Sequence, residues 1–191
     1  MNILSSLLFA ISANTDNFVV GLSYGIKKIK IGYISNFIIS FISMVGTVLS
    51  MSLSKIILKN IPANLSQVIG STILILIGSW TIIKPLIKKV SQDGLLENPE
   101  KVDKDNSSTI DSKESIVLAI ALTINNIGLG IGASISGLNI LLTSLLTFAF
   151  SIIMILIGYF LGTNYLSKAF GKSATIVSGL IIILLGLLEM L

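Results

Sequence analysis

Apolar residues run in long blocks along this chain, and the polar residues inside the blocks are few and regularly spaced. Six blocks stand out, over 3–26, 33–54, 65–87, 115–137, 140–162 and 173–191. Each is about 20 residues long, enough for an α-helix to cross a hydrocarbon core of roughly 30 Å. Short turns separate most of them. Residues 88–114, "KKVSQDGLLENPEKVDKDNSSTIDSKE", are polar, mixed in charge and poor in aromatics, and predict a mobile solvated linker. The predicted fold is an all-α integral membrane protein of six transmembrane helices. It divides into 1–87, the linker 88–114 and 115–191.

Composition agrees with that pattern. The chain is 53% hydrophobic and 12% charged, with a mean hydropathy of +0.95, which leaves too little polar surface for a soluble domain. Charge is segregated as well. Between Lys30 and Lys84 the only charged residues are Lys55 and Lys59, and between Glu114 and Lys168 there are none. Six spans put the loops at 27–32, 88–114 and 163–172 on one side. That side carries Lys27, Lys28, Lys30, Lys88, Lys89, Lys101, Lys104, Lys113, Lys168 and Lys172, with Lys84 at the end of span 3. The excess of basic residues predicts that this side is cytoplasmic in a bacterial inner membrane, with both termini outside. Tyr24, Tyr33, Trp80, Tyr159 and Tyr165 fall near the same ends and predict an interfacial belt. The first block lacks a basic leader and is too long for a signal peptide's apolar region, so it is expected to remain as span 1.

The net charge of +4 therefore reflects topology and does not point to nucleic acid. With no cysteine and no histidine, thiolate and imidazole metal chemistry have no ligands. An intramembrane enzyme is also poorly supported: the spans hold no paired carboxylates and no serine with a base beside it.

Within span 1, "SANTDNFVVGLSYG" places Asp16 about 20 Å along the helix, near the bilayer centre. A carboxylate at that depth costs about 3 kcal/mol on insertion scales, so it should face a cavity or a partner. No lysine lies at matching depth. A bound cation, a proton, or hydrogen bonds to neighbouring amides and hydroxyls remain as partners. Asn14 and Asn17 lie about 60° apart on a helical wheel and Asp16 about 100° from Asn17, so a regular helix would not bring all three together.

The two halves align. "NTDNFVVGLSYG" (14–25) matches "TINNIGLGIGAS" (123–134) at an offset of 109, pairing Asp16 with Asn125, Asn17 with Asn126 and Gly21 with Gly130. A weaker match pairs "VIGSTILILIGSW" (68–80) with "IVSGLIIILLGLL" (176–188), Gly78 on Gly186. Halves of three spans each must lie in opposite orientations, as in transporters built from inverted repeats, whose sites sit near the midplane. Gly128, Gly130, Gly132 and Gly137 in span 4 suit either an unwound segment or close helix packing. Asn36, Ser40, Ser43, Thr47, Ser50 and Ser54 form a polar stripe on span 2, with a smaller one on span 5 in Thr147, Ser151, Gly158 and Gly162. Such stripes serve as packing glue or as a water-lined route.

The candidate ion-binding residues are Asp16, Asn14, Asn17, Thr123, Asn125 and Asn126. This all-oxygen set suits hard or borderline cations such as Mg²⁺, Mn²⁺, Na⁺ or H⁺. Span 1, with Asp16, Phe18, Val20, Gly21, Tyr24 and Gly25 followed by basic residues, and span 4, with its degenerate copy, resemble the manganese efflux pump (MntP) family. That family lies within the lysine exporter (LysE) superfamily, and the likeness is strongest to its sporulation membrane protein (YtaF) branch. The resemblance implies a cation exporter in which each repeat contributes an intramembrane aspartate to the metal. Carried over, those positions are Asp16 and Asn125, so this chain departs from the pattern with one formal charge where the family has two. No resident cofactor is expected, only a transported Mn²⁺ or other divalent cation. The expected partners are the lipid bilayer and that ion, with a homo-oligomer left open. The competing reading is a non-transport membrane protein needed for spore formation.

Overall fold

The computed structural model describes residues 3–57, 63–87, 102–103, 105, 107–164, 180, 183–184 and 187. The predicted sixth span, apart from its four described positions, lies outside this set, as do residues 88–101, Tyr165 and the side chain of Asn125. The elements are α1 (Ile3–Ala13), α2 (Thr15–Lys27), β1 (Lys30–Ile31), α3 (Tyr33–Ile57), α4 (Ala63–Ile87), β2 (Thr109–Ile110), α5 (Ser112–Ile135) and α6 (Ile140–Asn164). Residues 3–27, 33–54 and 140–164 are each long and apolar enough to cross a membrane. Ser112–Ile124 and Asn126–Ile135, bent by 47°, make a fourth crossing if they form one span.

The helix ends follow local chemistry. Span 4 starts at Ser112, three residues before its predicted start, because Asp111 caps it. The Asp111 carboxylate accepts from the Glu114 backbone N–H at 2.8 Å, and Glu114 accepts from the Asp111 N–H at 3.2 Å. This reciprocal capping box satisfies two donors that the helix leaves open. Span 1 is not one helix but two, α1 and α2, separated at Asn14.

The chain is packed inside out relative to a soluble protein. On α3 the stripe Asn36, Ser40, Ser43, Thr47, Ser50 and Ser54 is buried, while Phe37, Phe41, Val45, Leu49 and Leu53 point outward. On α6, Thr143, Ser144, Thr147 and Ser151 are buried and Leu141, Leu145, Leu156 and Phe160 are exposed. Outward apolar faces on small-residue interfaces are what helices in lipid require, since hydrocarbon gives apolar side chains no reason to turn inward.

Among the described residues the most extensive helix contacts are α2 on α6 and α3 on α5; α6 also packs on α3 and α1, and α4 on α5. Glycines set the α2–α6 distance. A Cβ added at Gly21 or Gly25 would strike the Ile155 or Tyr159 carbonyl of α6. One added at Gly158 or Gly162 would strike the Phe18 or Leu22 carbonyl of α2. The two small-xxx-small pairs therefore let the backbones touch directly.

Two expectations are corrected here. The second part of the 88–114 linker is docked, not freely solvated. Thr109 and Ile110 of β2 pair in parallel with Lys30 and Ile31 of β1. Val102 and Ile110 are buried in a cluster with Val20, Tyr24, Leu118 and Leu122. The two apolar side chains supply the burial that the segment's average polarity conceals. Tyr24 belongs to the same cluster and is fully buried, so it is no part of an interfacial belt. Tyr33 and Trp80, by contrast, are exposed.

Candidate functional site where the broken helices meet

The break in span 1 leaves the carbonyls at the end of α1 with hydrogen-bonding capacity to spare, although that of Ala10 keeps its helical bond from the Asn14 N–H at 3.3 Å. Polar side chains satisfy them. Asn14 Nδ2 donates to the Ala10 carbonyl at 2.7 Å, Thr15 Oγ1 to that of Ile11 at 3.3 Å, and Asn126 Nδ2 to that of Ala13 at 2.7 Å. The last bond comes from span 4, immediately beyond its 47° bend. Spans 1 and 4 are thus joined where each departs from a straight helix.

A second group ties the break to α6 and α3. Asn14 Nδ2 also donates to the Thr147 carbonyl at 3.2 Å. Asn17 Nδ2 donates to Asn14 Oδ1 at 2.7 Å and to Ser151 Oγ at 2.8 Å. Ser40 Oγ donates to Ser151 Oγ at 2.8 Å, and Asn36 Nδ2 reaches the Ile152 carbonyl at 3.3 Å. Buried amides in a membrane need such partners, because lipid supplies none.

Beside this network lies a small cavity lined by Ser43, Gly46, Thr47, Thr123, Asn126 and Thr147, contributed by α3, α5 and α6. Its volume is about 10 Å³, room for roughly one water molecule or bare ion. The hydroxyls of Thr123 and Thr147 have no hydrogen-bond partner among the described residues, and neither has the carbonyl oxygen of buried Asn17. An unsatisfied buried hydroxyl costs on the order of 1–3 kcal/mol. Two on one polar cavity make a place where a guest with positive charge or a donor would be welcome.

Of the residues picked out in the sequence, Thr123 and Asn126 line the cavity. Asn14 and Asn17 stand next to it in one hydrogen-bonded group. Asp16 is half-buried and does not line the cavity. It falls in the first turn of α2, a consequence of the break. A negative side chain there gains about 0.3–1 kcal/mol from the helix dipole. The backbone at Asn125 is helical, and its side chain lies outside the described residues. Ser43, Thr47 and Thr147 belong to the stripes seen in the sequence but were not singled out as site residues; their spacing was the available signal.

These features define a class: a polytopic helical membrane protein with two interrupted spans hydrogen-bonded to each other beside a small polar cavity. The chain belongs to the manganese efflux pump family, described as "Putative manganese efflux pump", which matches residues 1–82 and 89–191. It is 30% identical over 208 residues, covering 98% of this chain and 99% of the relative, to a Bacillus subtilis (strain 168) protein named "Probable sporulation protein YtaF". The family is named for a pump and not for an enzyme class. No solved structure matches the chain.

Proposed function

We propose that the chain exports a small, Mn²⁺-like divalent cation by alternating access between two inverted three-helix halves, with its lysine-rich loops in the cytoplasm. The observation that carries this reading is the small polar cavity between α3, α5 and α6, lined by Thr123 and Thr147, whose hydroxyls have no hydrogen-bond partner among the described residues. Packing supports the inverted repeat. Exchanging span 1 with span 4 and span 2 with span 5 turns the α2–α6 contact into the α5–α3 contact, the two most extensive among the described residues. Individual positions follow. Gly21 meets the Tyr159 backbone, and its counterpart Gly130 meets Ser50 and Met51.

In this reading Asp16 supplies the one formal negative charge and, with Asn125, ligates the metal. Asn14, Asn17, Thr123 and Asn126 supply neutral oxygens. Mn²⁺ flux into proteoliposomes tests the proposal. Wild type is expected to carry Mn²⁺, and Asp16→Asn to carry at least about tenfold less. Equal flux from both would remove Asp16 from the mechanism. No flux of Mn²⁺, Mg²⁺ or Na⁺ by folded wild type would remove transport.

A second reading has its own support. Asn14, Asn17, Asn36 and Ser40 all bond within the bundle, as packing glue would. Together with the relative's name, this fits a structural membrane protein of sporulation. On that reading Asp16→Asn leaves spore formation intact provided the protein inserts.

A further inference from the structure

Residues 103–114, "DKDNSSTIDSKE", lie outside the membrane site and have the ligand spacing of a twelve-residue calcium loop. Such a loop draws oxygens from positions 1, 3, 5, 7, 9 and 12, the seventh through its backbone carbonyl. Here these are Asp103, Asp105, Ser107, Thr109, Asp111 and Glu114. The sixth position makes the sharp turn and is ordinarily glycine. In this chain it is Ser108, held at φ 58°.

The fold gathers the charged members. Carboxylate oxygens of Asp103, Asp105 and Glu114 all lie within 4.8 Å of one another. Oxygens bound to one Ca²⁺ at about 2.3–2.6 Å stand no farther apart than roughly 5 Å. Asp103 and Asp105 are oriented from within the loop. Asp103 accepts the backbone N–H groups of Ser107 and Ser108, each at 3.0 Å, and Asp105 accepts that of Ser107 at 3.0 Å. The Thr109 carbonyl takes one bond from Ser107 Oγ at 2.9 Å, and a carbonyl oxygen has a second lone pair.

An independent observation comes from span 1. Tyr24 is fully buried, and its hydroxyl has no hydrogen-bond partner among the described residues. It shares a buried cluster with Val102, just before the loop, and Ile110, within it. The carboxylates whose charges bear on that hydroxyl are those of Glu114 and Asp103. The buried phenol lies within electrostatic reach of two carboxylates and is hydrogen-bonded to neither, and a water held by a cation at those carboxylates would supply the partner it lacks.

We propose that residues 103–114 bind a divalent cation of calcium size, with Asp103, Asp105 and Glu114 as charged ligands and the Thr109 carbonyl as a neutral one. Ile110, at the eighth position, pairs with Ile31, and its carbonyl accepts from Ser35 Oγ at 2.6 Å. Ion binding therefore fastens together the end of span 1, the start of span 2 and the start of span 4. The site stands apart from the transport reading and does not depend on it.

Calorimetric titration of Ca²⁺, and in parallel Mg²⁺ and Mn²⁺, into the full chain in detergent tests this. Wild type is expected to show one saturable Ca²⁺ site with a Kd on the order of 10⁻⁴ M or tighter. Asp105→Asn and Glu114→Gln should each weaken it by about tenfold or more, because affinity follows ligand charge. Asp105 is exposed, and the glutamine keeps an oxygen for the capping box, so both variants should fold. Asp16→Asn should leave the site unchanged. The absence of saturable Ca²⁺ binding up to about 10 mM would overturn the proposal. So would equal affinity in wild type and both loop variants, or loss of binding in Asp16→Asn alone. Tighter Mg²⁺ than Ca²⁺ binding would overturn the calcium-size assignment.

Discussion

Span 1 crosses span 5, and span 4 crosses span 2, at corresponding places, but different atoms make the two contacts. In the first, Gly21 and Gly25 face Gly158 and Gly162, and any added Cβ would meet main-chain atoms. In the second, Gly130 faces Ser50 and Gly46 faces Thr123, so the nearest atoms are ends of side chains. Ser134 replaces the second glycine of the motif and donates to the Met51 carbonyl at 2.6 Å. Backbone-to-backbone contact is rigid, because helices cannot move apart locally. Side-chain contact can adjust by rotation. One crossing is fixed and the other adaptable, and the cavity lies at the adaptable one.

That difference can be broken deliberately. Gly158→Ala should have the largest effect, on the order of 3 kcal/mol or outright loss of folded protein, since the colliding atom is the Phe18 carbonyl. Thermal unfolding in detergent reads it, and no side-chain truncation on α2 should rescue it. Asn126→Ala comes next. It removes the bond that joins the two interrupted spans and leaves the Ala13 carbonyl short of a partner, at a cost of about 2 kcal/mol. Gly130→Ala should cost only about 1 kcal/mol, because the Ser50 hydroxyl is what it meets. Adding Ser50→Ala should recover most of that loss. If Gly158→Ala and Gly130→Ala proved equally harmful, the contrast between the crossings would be false.

Much of this was legible in sequence, for physical reasons that differ by region. Spans 1, 2 and 5 announced themselves because lipid demands long uninterrupted apolar runs. The stripe from Asn36 to Ser54 was legible because helical spacing puts those residues on one face, and that face is buried. The interruption at Asn14 was only hinted at. Asn14, Asn17 and Asp16 do not converge on a regular helix, but nothing local says where the helix yields. The tertiary bond from Asn126 to Ala13 joins residues 113 positions apart and has no local signal at all. The docked loop was missed for another reason. Its polar average matched a solvated linker, while its order rests on Val102, Ile110 and the spacing of its carboxylates.

Thr123 and Thr147, which line the cavity and whose hydroxyls have no partner among the described residues, offer the most direct test of a transport role. Replacing Thr123 and Thr147 by valine keeps their shape and removes two unsatisfied polar groups, so a purely structural site would be no less stable, or slightly more so. The measurement is Mn²⁺ flux through the Thr123→Val, Thr147→Val protein in proteoliposomes, with its unfolding temperature taken alongside. The transport account expects flux to fall at least about tenfold while the unfolding temperature holds or rises. Wild-type flux from that protein would contradict it.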